Sequence, residues 1–212
     1  MKRIVGYFPD KETWRKTDEE EYRRSIFSHN IAIHYLKHEI QESVEREMNV
    51  ILSGTKAGFY AGLRFLFAEV NGLACLYWGK DSDSKNCKAE LVVEFMRKFG
   101  ILQPTPGLHY EVFRHGLMHS HHPKWIKKNK KVIGWYIDNE EKRKGFGVYV
   151  PEFRDQVISS IKEFIAELEK ERDNKEGTLL NRFRDGLIAS GKILTKKDLK
   201  EYAKDDYEKL KV

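Results

Sequence analysis

Apolar residues recur at three- and four-residue steps through much of residues 39–123, and this spacing limits the fold more than any other feature. It predicts amphipathic helices, because residues three and four apart lie on one face of a helix. The longest series comprises Leu63, Leu66, Phe67, Val70, Leu73, Ala74 and Tyr77. Gly54, Gly100 and Pro123 stand where such helices end.

The spacing predicts four helices, which start near Glu39, Phe59, Lys88 and His109. The connections between them are short, roughly three to ten residues, and short connections favour antiparallel neighbours. The predicted fold class is therefore mainly α: an antiparallel up-and-down four-helix bundle with a small β-hairpin and a C-terminal helical extension.

The rest of the chain is arranged around this bundle. Lys131–Asp138 and Phe146–Val150 flank a polar turn, a pattern typical of a β-hairpin. Pro151 fits the first turn of a strongly amphipathic helix. We expect one compact domain made of an N-terminal arm and short helix (1–38), the bundle (39–125), a basic hairpin (126–150) and C-terminal helices (151–212).

Length and composition exclude several classes of protein. A chain of 212 residues with 40% hydrophobic residues can bury a core without disulfides or metals. Cys75 and Cys87 lack CxxC spacing, so we expect no disulfide framework, and Cys75 in its apolar run is expected to be a buried free thiol. There is no apolar run of signal-peptide or membrane-span length, which predicts a cytoplasmic protein with no membrane attachment.

Five of the eight histidines lie within the range His109–His122, beside Arg114. One interpretation is metal binding, since His115 and His119 are four residues apart and would share a helix face. The chain has no His-Glu-x-x-His pattern, and an arginine is an unfavourable neighbour for metal-bound imidazoles. We therefore expect no metal and no other cofactor.

Two other interpretations of this cluster stay open. A histidine-rich helix end can simply be solvated, and His121 and His122 before Pro123 fit that description best. Alternatively, arginine and histidine together act on phosphate, because histidine transfers protons near neutral pH and arginine holds phosphate oxygens with two hydrogen bonds.

The segment Arg114-His-Gly-Leu-Met-His119 places four residues between an arginine and a histidine, with the polar His115 directly after the arginine. It resembles the Arg-x(4–6)-His motif of the HEPN superfamily. Members of this family are four-helix bundles and often metal-independent RNA endonucleases. The resemblance covers about residues 39–125 and implies that Arg114 and His119 are catalytic and that His115 orients them.

The same resemblance implies a homodimer, because two HEPN protomers typically bring their motifs into a shared cleft. Here the dimer would form through the motif-bearing helix, with Phe113, Leu117 and their neighbours in contact. The resemblance further implies an RNA-processing toxin or defence-system component, whose partner would be an antitoxin protein.

A basic segment follows the motif. Residues 124–144 hold eight basic and three acidic residues, with Trp125, Trp135 and Tyr136 interleaved. Lysines that contact phosphate and aromatic rings that stack on bases are typical of RNA binding. The alternative is an ordinary solvated face, with Trp125 and Tyr136 packing the hairpin on the bundle. The RNA-binding candidates are Lys124, Lys127, Lys128, Lys130, Lys131 and Arg143.

Glu69 lies in the otherwise apolar stretch Leu66–Leu73. A buried carboxylate needs a partner, because an unpaired buried charge is costly. We expect Arg114 or His119 to be that partner, which would make Glu69 a supporting residue of the motif. The alternatives are an exposed position or a pair with Arg64.

The sequence thus predicts a metal-independent RNA endonuclease of HEPN type. The alternative is a non-catalytic HEPN-like helical module that binds RNA or a protein partner. A histidine-clustered metalloenzyme is the third and weakest interpretation.

Overall fold

The structure is a computed structural model. It describes residues 29–53, 59–80, 87–120, 122–174, 177–190 and 201–209. The predicted N-terminal arm before His29 and part of the predicted C-terminal helical region lie outside the described residues.

The mainly helical class is confirmed. The helices are α1 (His29–Tyr35), α2 (Glu42–Ser53), α3 (Phe59–Tyr77), α4 (Ala89–Lys98), α5 (Pro106–His109), α6 (Gly116–Ser120), α7 (Val150–Asp173), α8 (Thr178–Ser190) and α9 (Glu201–Glu208). Two π-helical segments, Leu36–Gln41 and Tyr110–His115, join α1 to α2 and α5 to α6. The first helix of the predicted bundle therefore begins at His29 rather than near Glu39.

A single hydrophobic core includes residues from Ala32 to Leu187. At its centre lies α3, which contacts α2, α4, α7 and α8. On α7, the side chains of Phe153, Ile161 and Phe164 are fully buried. This helix is therefore part of the core, which more helices share than the four predicted for residues 39–123.

The predicted β-hairpin is wrong in its pairing. The antiparallel hairpin forms one segment earlier, between β1 (Ile126–Lys128) and β2 (Lys131–Ile133). The chain turns at Asn129 and Lys130, whose φ angles of 49° and 64° suit a two-residue hairpin turn. The segment that was expected to be one strand is broken at Gly134, which lies between two shorter strands.

The second sheet joins β3 (Tyr136–Asp138) to β4 (Gly147–Tyr149) in parallel. The polar residues between them thus form a crossover loop rather than a hairpin turn. Asp138 organises this loop, since its Oδ1 accepts hydrogen bonds from the backbone N–H groups of Glu140 (2.8 Å) and Glu141 (3.2 Å). These bonds, followed by the nearby Arg143, lower the pKa of Asp138.

Cys75 and Cys87 form a disulfide, so the expected buried free thiol at Cys75 is wrong. Cys75 lies on α3, and Cys87 stands just before α4, which packs on α3. That packing brings the two Cα atoms to 5.6 Å, and the sequence alone does not show it. Disulfides persist mainly in oxidising compartments, so the cytoplasmic location stays a prediction.

Among the described residues, α3 is the one helix long and apolar enough to cross a membrane. Length and composition alone make it a candidate, and the core helices of folded domains pass the same test. Leu63, Leu66 and Val70 of α3 are fully buried against the protein's other helices. Burial of this kind is what a core helix shows.

Candidate nucleic-acid interface

The motif helix is the continuous helix made of α5, the π-helical segment Tyr110–His115 and α6. Its residues Phe113 and Leu117 are 0% and 1% exposed within the monomer. They cannot form the dimer contacts that the resemblance implied, because their side chains already lie in the core. The exposed edge of this helix carries Glu111 and Met118, with Arg114 and His115 half-buried beside them.

Arg114 and His115 both lie in the π-helical segment. Such a segment holds more residues per turn than an α-helix and redirects the side chains that follow, and single π-turns are frequent at functional sites. His119 follows on α6, but its side chain lies outside the described part of the structure, as does His121.

Two other histidines of the cluster, His109 and His115, have different surroundings. His109 is buried, with Nδ1 2.8 Å from the Thr105 carbonyl oxygen and Nε2 3.1 Å from that of Gly147. Burial lowers the pKa of His109, and these two contacts oppose the shift. The ring of His115 meets Tyr110 edge-on at 5.3 Å. Within the described residues, no group of three His, Cys, Asp or Glu side chains is placed to hold a metal ion.

Arg114 is held by a short chain of contacts from the core. Its guanidinium lies 5.5 Å from the centre of the Tyr110 ring, a cation–π contact. The Tyr110 hydroxyl in turn donates a hydrogen bond to Asn71 Oδ1 on α3 at 3.0 Å. Burial raises the pKa of Tyr110, which keeps its hydroxyl a donor near neutral pH. Arg114 is thus oriented by α3 through Tyr110.

Glu111 places a carboxylate at the exposed edge of the motif. It accepts a short hydrogen bond from Lys124 Nζ, and its Oε2 is 4.0 Å from His115 Nε2. The hydrogen bond from Lys124 is the main reason that the pKa of Glu111 is lowered. Any phosphate that approaches Arg114 and His115 therefore meets a negative charge whose neutralisation depends on Lys124.

Gly116 lets the chain fold back over the motif helix. A Cβ atom at this position would lie 2.6 Å from the His122 carbonyl oxygen and 2.7 Å from Pro123 Cα. Lys124 N donates a 3.0 Å hydrogen bond to the Val112 carbonyl oxygen and fixes the returning segment. A helix glycine can make room for a second helix or a ligand, but here the chain's own segment from His122 to Lys124 fills that room. In the sequence, Gly116 within the helix and Pro123 shortly after it are the features that could have indicated this close approach.

Glu69 does not pair with Arg114, and the other predicted partner, the His119 side chain, lies outside the described residues. Asn71, which contacts Tyr110, is two positions further along α3, about 200° around a helix of 3.6 residues per turn. Glu69 therefore faces a different side from Arg114. Burial raises its pKa, and its charge adds to the rise in the pKa of Tyr35, which burial mainly causes. Within the described residues Glu69 forms no ion pair, so the predicted pair with Arg114 is not found there.

The basic candidates divide into two groups. Lys124 is paired with Glu111, and Arg143 Nε lies 2.7 Å from Asp138 Oδ2 and 3.6 Å from Glu141 Oε1. These two cations help to hold the fold in place. The other four are exposed and pair with no carboxylate in the described part of the chain, namely Lys127, Lys128, Lys130 and Lys131.

These four lysines all lie on β1, β2 and the turn between them. We call residues 125–134 the lysine hairpin. Lys124 connects it to the motif helix, because its backbone is bonded to Val112 and its side chain to Glu111, and Trp125 follows directly. The hairpin is thus attached to the motif helix at Lys124, at the edge of the helix that carries Glu111.

Comparison with known proteins adds no relative. No family model, no curated protein and no solved structure matches this chain. The HEPN resemblance therefore rests on the residues from Arg114 to His119 and their helical setting.

Proposed function

We propose that this protein binds RNA on the lysine hairpin and cleaves it, without a metal ion, at the exposed edge of the motif helix. The observation that carries the proposal is the position of Lys124. It ties the returning chain to the motif helix, so that the helix with Arg114 and His115 is joined directly to a run of lysines that no carboxylate in the described residues neutralises. We expect a polyanion bound to those lysines to extend past Lys124 toward Arg114 and His115, since its phosphates are attracted to each of these cations.

The proposed chemistry needs only protein groups. A histidine removes the proton from a ribose 2′-hydroxyl, and the 2′-oxygen then attacks the adjacent phosphorus. The bond to the 5′-oxygen breaks, and that oxygen leaves with a proton from a second histidine. Arg114 stabilises the charge on the non-bridging oxygens. The products are a 2′,3′-cyclic phosphate and a 5′-hydroxyl.

Each chain supplies one Arg114 and one His119, with His115 in an orienting role. Two acid–base histidines are needed, so the proposal includes a homodimer in which the motifs of two chains meet, as in a HEPN four-helix bundle. Met118 is suited to this contact, because it is 49% exposed on the motif helix. The toxin role and an antitoxin partner are part of the same proposal and rest on the resemblance alone.

A non-catalytic RNA-binding module is the second candidate, and Glu111 favours it. A carboxylate next to His115 and in contact with Lys124 repels a phosphate where the reaction would take place. A protein that only binds RNA tolerates this charge, because the hairpin lysines lie further along the chain.

The test is cleavage of a labelled single-stranded RNA in excess chelator. We expect cleavage by the wild-type chain and its loss in both Arg114→Ala and His119→Ala. The matched controls are Arg172→Ala and His38→Ala, which replace exposed residues that pair with their own neighbours Asp173 and Glu42. Both controls should cleave as wild type.

Each other outcome decides against part of the proposal. RNA binding without cleavage, unchanged in Arg114→Ala, identifies the non-catalytic module. Cleavage that chelator abolishes overturns the metal-independent mechanism. No binding to any RNA overturns both candidates. Circular dichroism of each variant shows whether a loss of activity reflects a loss of fold.

A further inference from the structure

The two faces of the lysine hairpin differ in composition, and the strand register defines them. Ile126 lies opposite Ile133, and Lys127 lies opposite Val132. Successive side chains of a strand point to opposite faces, so these two pairs lie on different faces. Ile126 is partly buried and packs against the core. The face that carries Lys127 and Val132 is therefore the outer face.

Trp125 belongs to this outer face. It stands two residues before Lys127, a spacing that places both on one side of an extended chain. Its side chain is 67% exposed and that of Val132 is 65% exposed. Trp125 is the most exposed of the large hydrophobic side chains in the described part of the chain. Exposed apolar area is unfavourable in water, and apolar patches rimmed by polar or charged residues are typical of interaction sites.

The indole of Trp125 contacts two neighbouring rings and is otherwise exposed to solvent. Its ring lies 5.9 Å from that of Trp135 and 6.1 Å from that of His122. On the neighbouring strand, the position that continues the register opposite Trp125 is Gly134, and no atom lies within 4 Å of where its Cβ would be. The ring is thus held in place, with free space beside it for a flat ligand.

We infer that the outer face of the lysine hairpin binds unpaired RNA nucleotides, with a base stacked on Trp125 and the flanking phosphates near Lys127 and Lys130. This inference rests on the proposed RNA binding and specifies its substrate class as single-stranded. Aromatic side chains stack on any unpaired base, whereas a duplex keeps its bases in its own stack. Charge is complementary as well, since the hairpin carries four lysines that pair with no carboxylate among the described residues, and RNA carries one negative charge per nucleotide.

The composition of the hairpin favours RNA over an anionic membrane surface. A hairpin that inserts into lipid needs apolar residues at its tip, where depth is greatest. The tip here is Lys128-Asn-Lys-Lys131, and the aromatic ring is at the base of the hairpin. This arrangement suits a strand of RNA that lies across the hairpin better than a bilayer.

The experiment measures affinity by fluorescence anisotropy for a labelled uridine 12-mer and for an RNA duplex of equal length. We expect Trp125→Ala to weaken single-strand binding roughly 5- to 150-fold, the range for loss of one base–aromatic stack. Duplex affinity should change less than about twofold. Trp125→Phe should recover most of the single-strand affinity. Tyr207→Ala removes another exposed aromatic side chain and should change neither.

The lysines give a second readout. Lys127→Ala and Lys130→Ala should each weaken binding to both RNAs and reduce the salt dependence of single-strand affinity by about 0.7 in log–log slope. If Trp125 only supported the fold, its loss would weaken binding of the single strand and of the duplex equally. Because Trp125 is highly exposed, we expect Trp125→Ala to fold as the wild-type chain does.

The inference is overturned if Trp125→Ala binds the single strand as well as wild type does, or loses both RNAs equally. In either case, RNA binding by the wild-type chain would still support the proposed function. If the wild-type chain binds neither RNA, both fail. Binding to phosphatidylglycerol vesicles that Trp125→Ala abolishes, with RNA affinity unchanged, would assign this face to a membrane surface instead.

Discussion

Replacing Gly116 by alanine should destabilise the protein, although alanine is the better helix former. The new Cβ would lie 2.6 Å from the His122 carbonyl oxygen and 2.8 Å from Lys124 N. Both are backbone atoms and cannot rotate away as a side-chain end does. The segment from His122 to Lys124 must therefore move off the motif helix, and the hydrogen bond from Lys124 N to the Val112 carbonyl oxygen is lost.

The magnitude follows from three contributions to the free energy of unfolding. Overpacking by one methyl group costs about 1–3 kcal/mol. The lost backbone hydrogen bond costs about 0.5–1.5 kcal/mol. Alanine in place of glycine in a helix returns about 0.5–1 kcal/mol. We expect a net loss of about 2 kcal/mol.

The assay is urea denaturation followed by circular dichroism, with Gly72→Ala as the matched control. Gly72 is also inside a helix, but no atom lies within 4 Å of its added Cβ. The control should therefore gain about 0.5–1 kcal/mol from helix propensity alone. If both variants gain stability equally, the close approach at Gly116 is refuted. Gly116→Ala should also weaken RNA binding, because Lys124 and the hairpin move with the displaced segment.

Three further predictions concern stability. The Cys75–Cys87 disulfide joins residues 12 apart, so Cys75→Ala with Cys87→Ala should lower the free energy of unfolding by about 3 kcal/mol, and dithiothreitol should lower the wild-type melting temperature but not that of the variant. Burial lowers the pKa of His109. The folded chain therefore binds fewer protons there than the unfolded chain, and stability should fall as the pH drops below about 6.5; His109→Gln should flatten this slope in urea titrations, and an equal slope would contradict the assignment. Lys130 has a φ of 64°, so Lys130→Gly should raise stability by about 1 kcal/mol in the same titrations; an unchanged midpoint would argue against that turn.

The helices could be predicted from sequence because their signal is local. The apolar series on α3 repeats every three or four residues, and the structure buries those same residues. The hairpin was missed because its turn, Asn129-Lys130, has no glycine at either positive-φ position. The polar residues after Asp138 resemble a hairpin turn more closely than Asn129-Lys130, where the chain actually turns. The disulfide was missed because it depends on how α4 packs on α3.

The candidate site was predicted unevenly for a similar reason. Arg114 and Tyr110 are four residues apart on one helix, so their contact follows from spacing. The position of Glu69 depends on which side of α3 faces the motif helix, which its sequence neighbourhood does not reveal. The exposure of Trp125 depends on the hairpin register, and that register was assigned to the wrong pair of strands.

The central position of α3 has a consequence for synthesis of the chain. Its partners α7 and α8 end at Asp173 and Ser190, roughly 100 residues after Tyr77. At about 5–20 residues per second, the ribosome needs about 5–20 s to make them after α3 is complete. During that time α3 lacks two of the four helices that pack on it, so part of its apolar surface faces solvent. A chain truncated before α7 would lack Phe153, Ile161 and Phe164 of the core and would leave α3 partly uncovered, so we expect it to aggregate rather than fold.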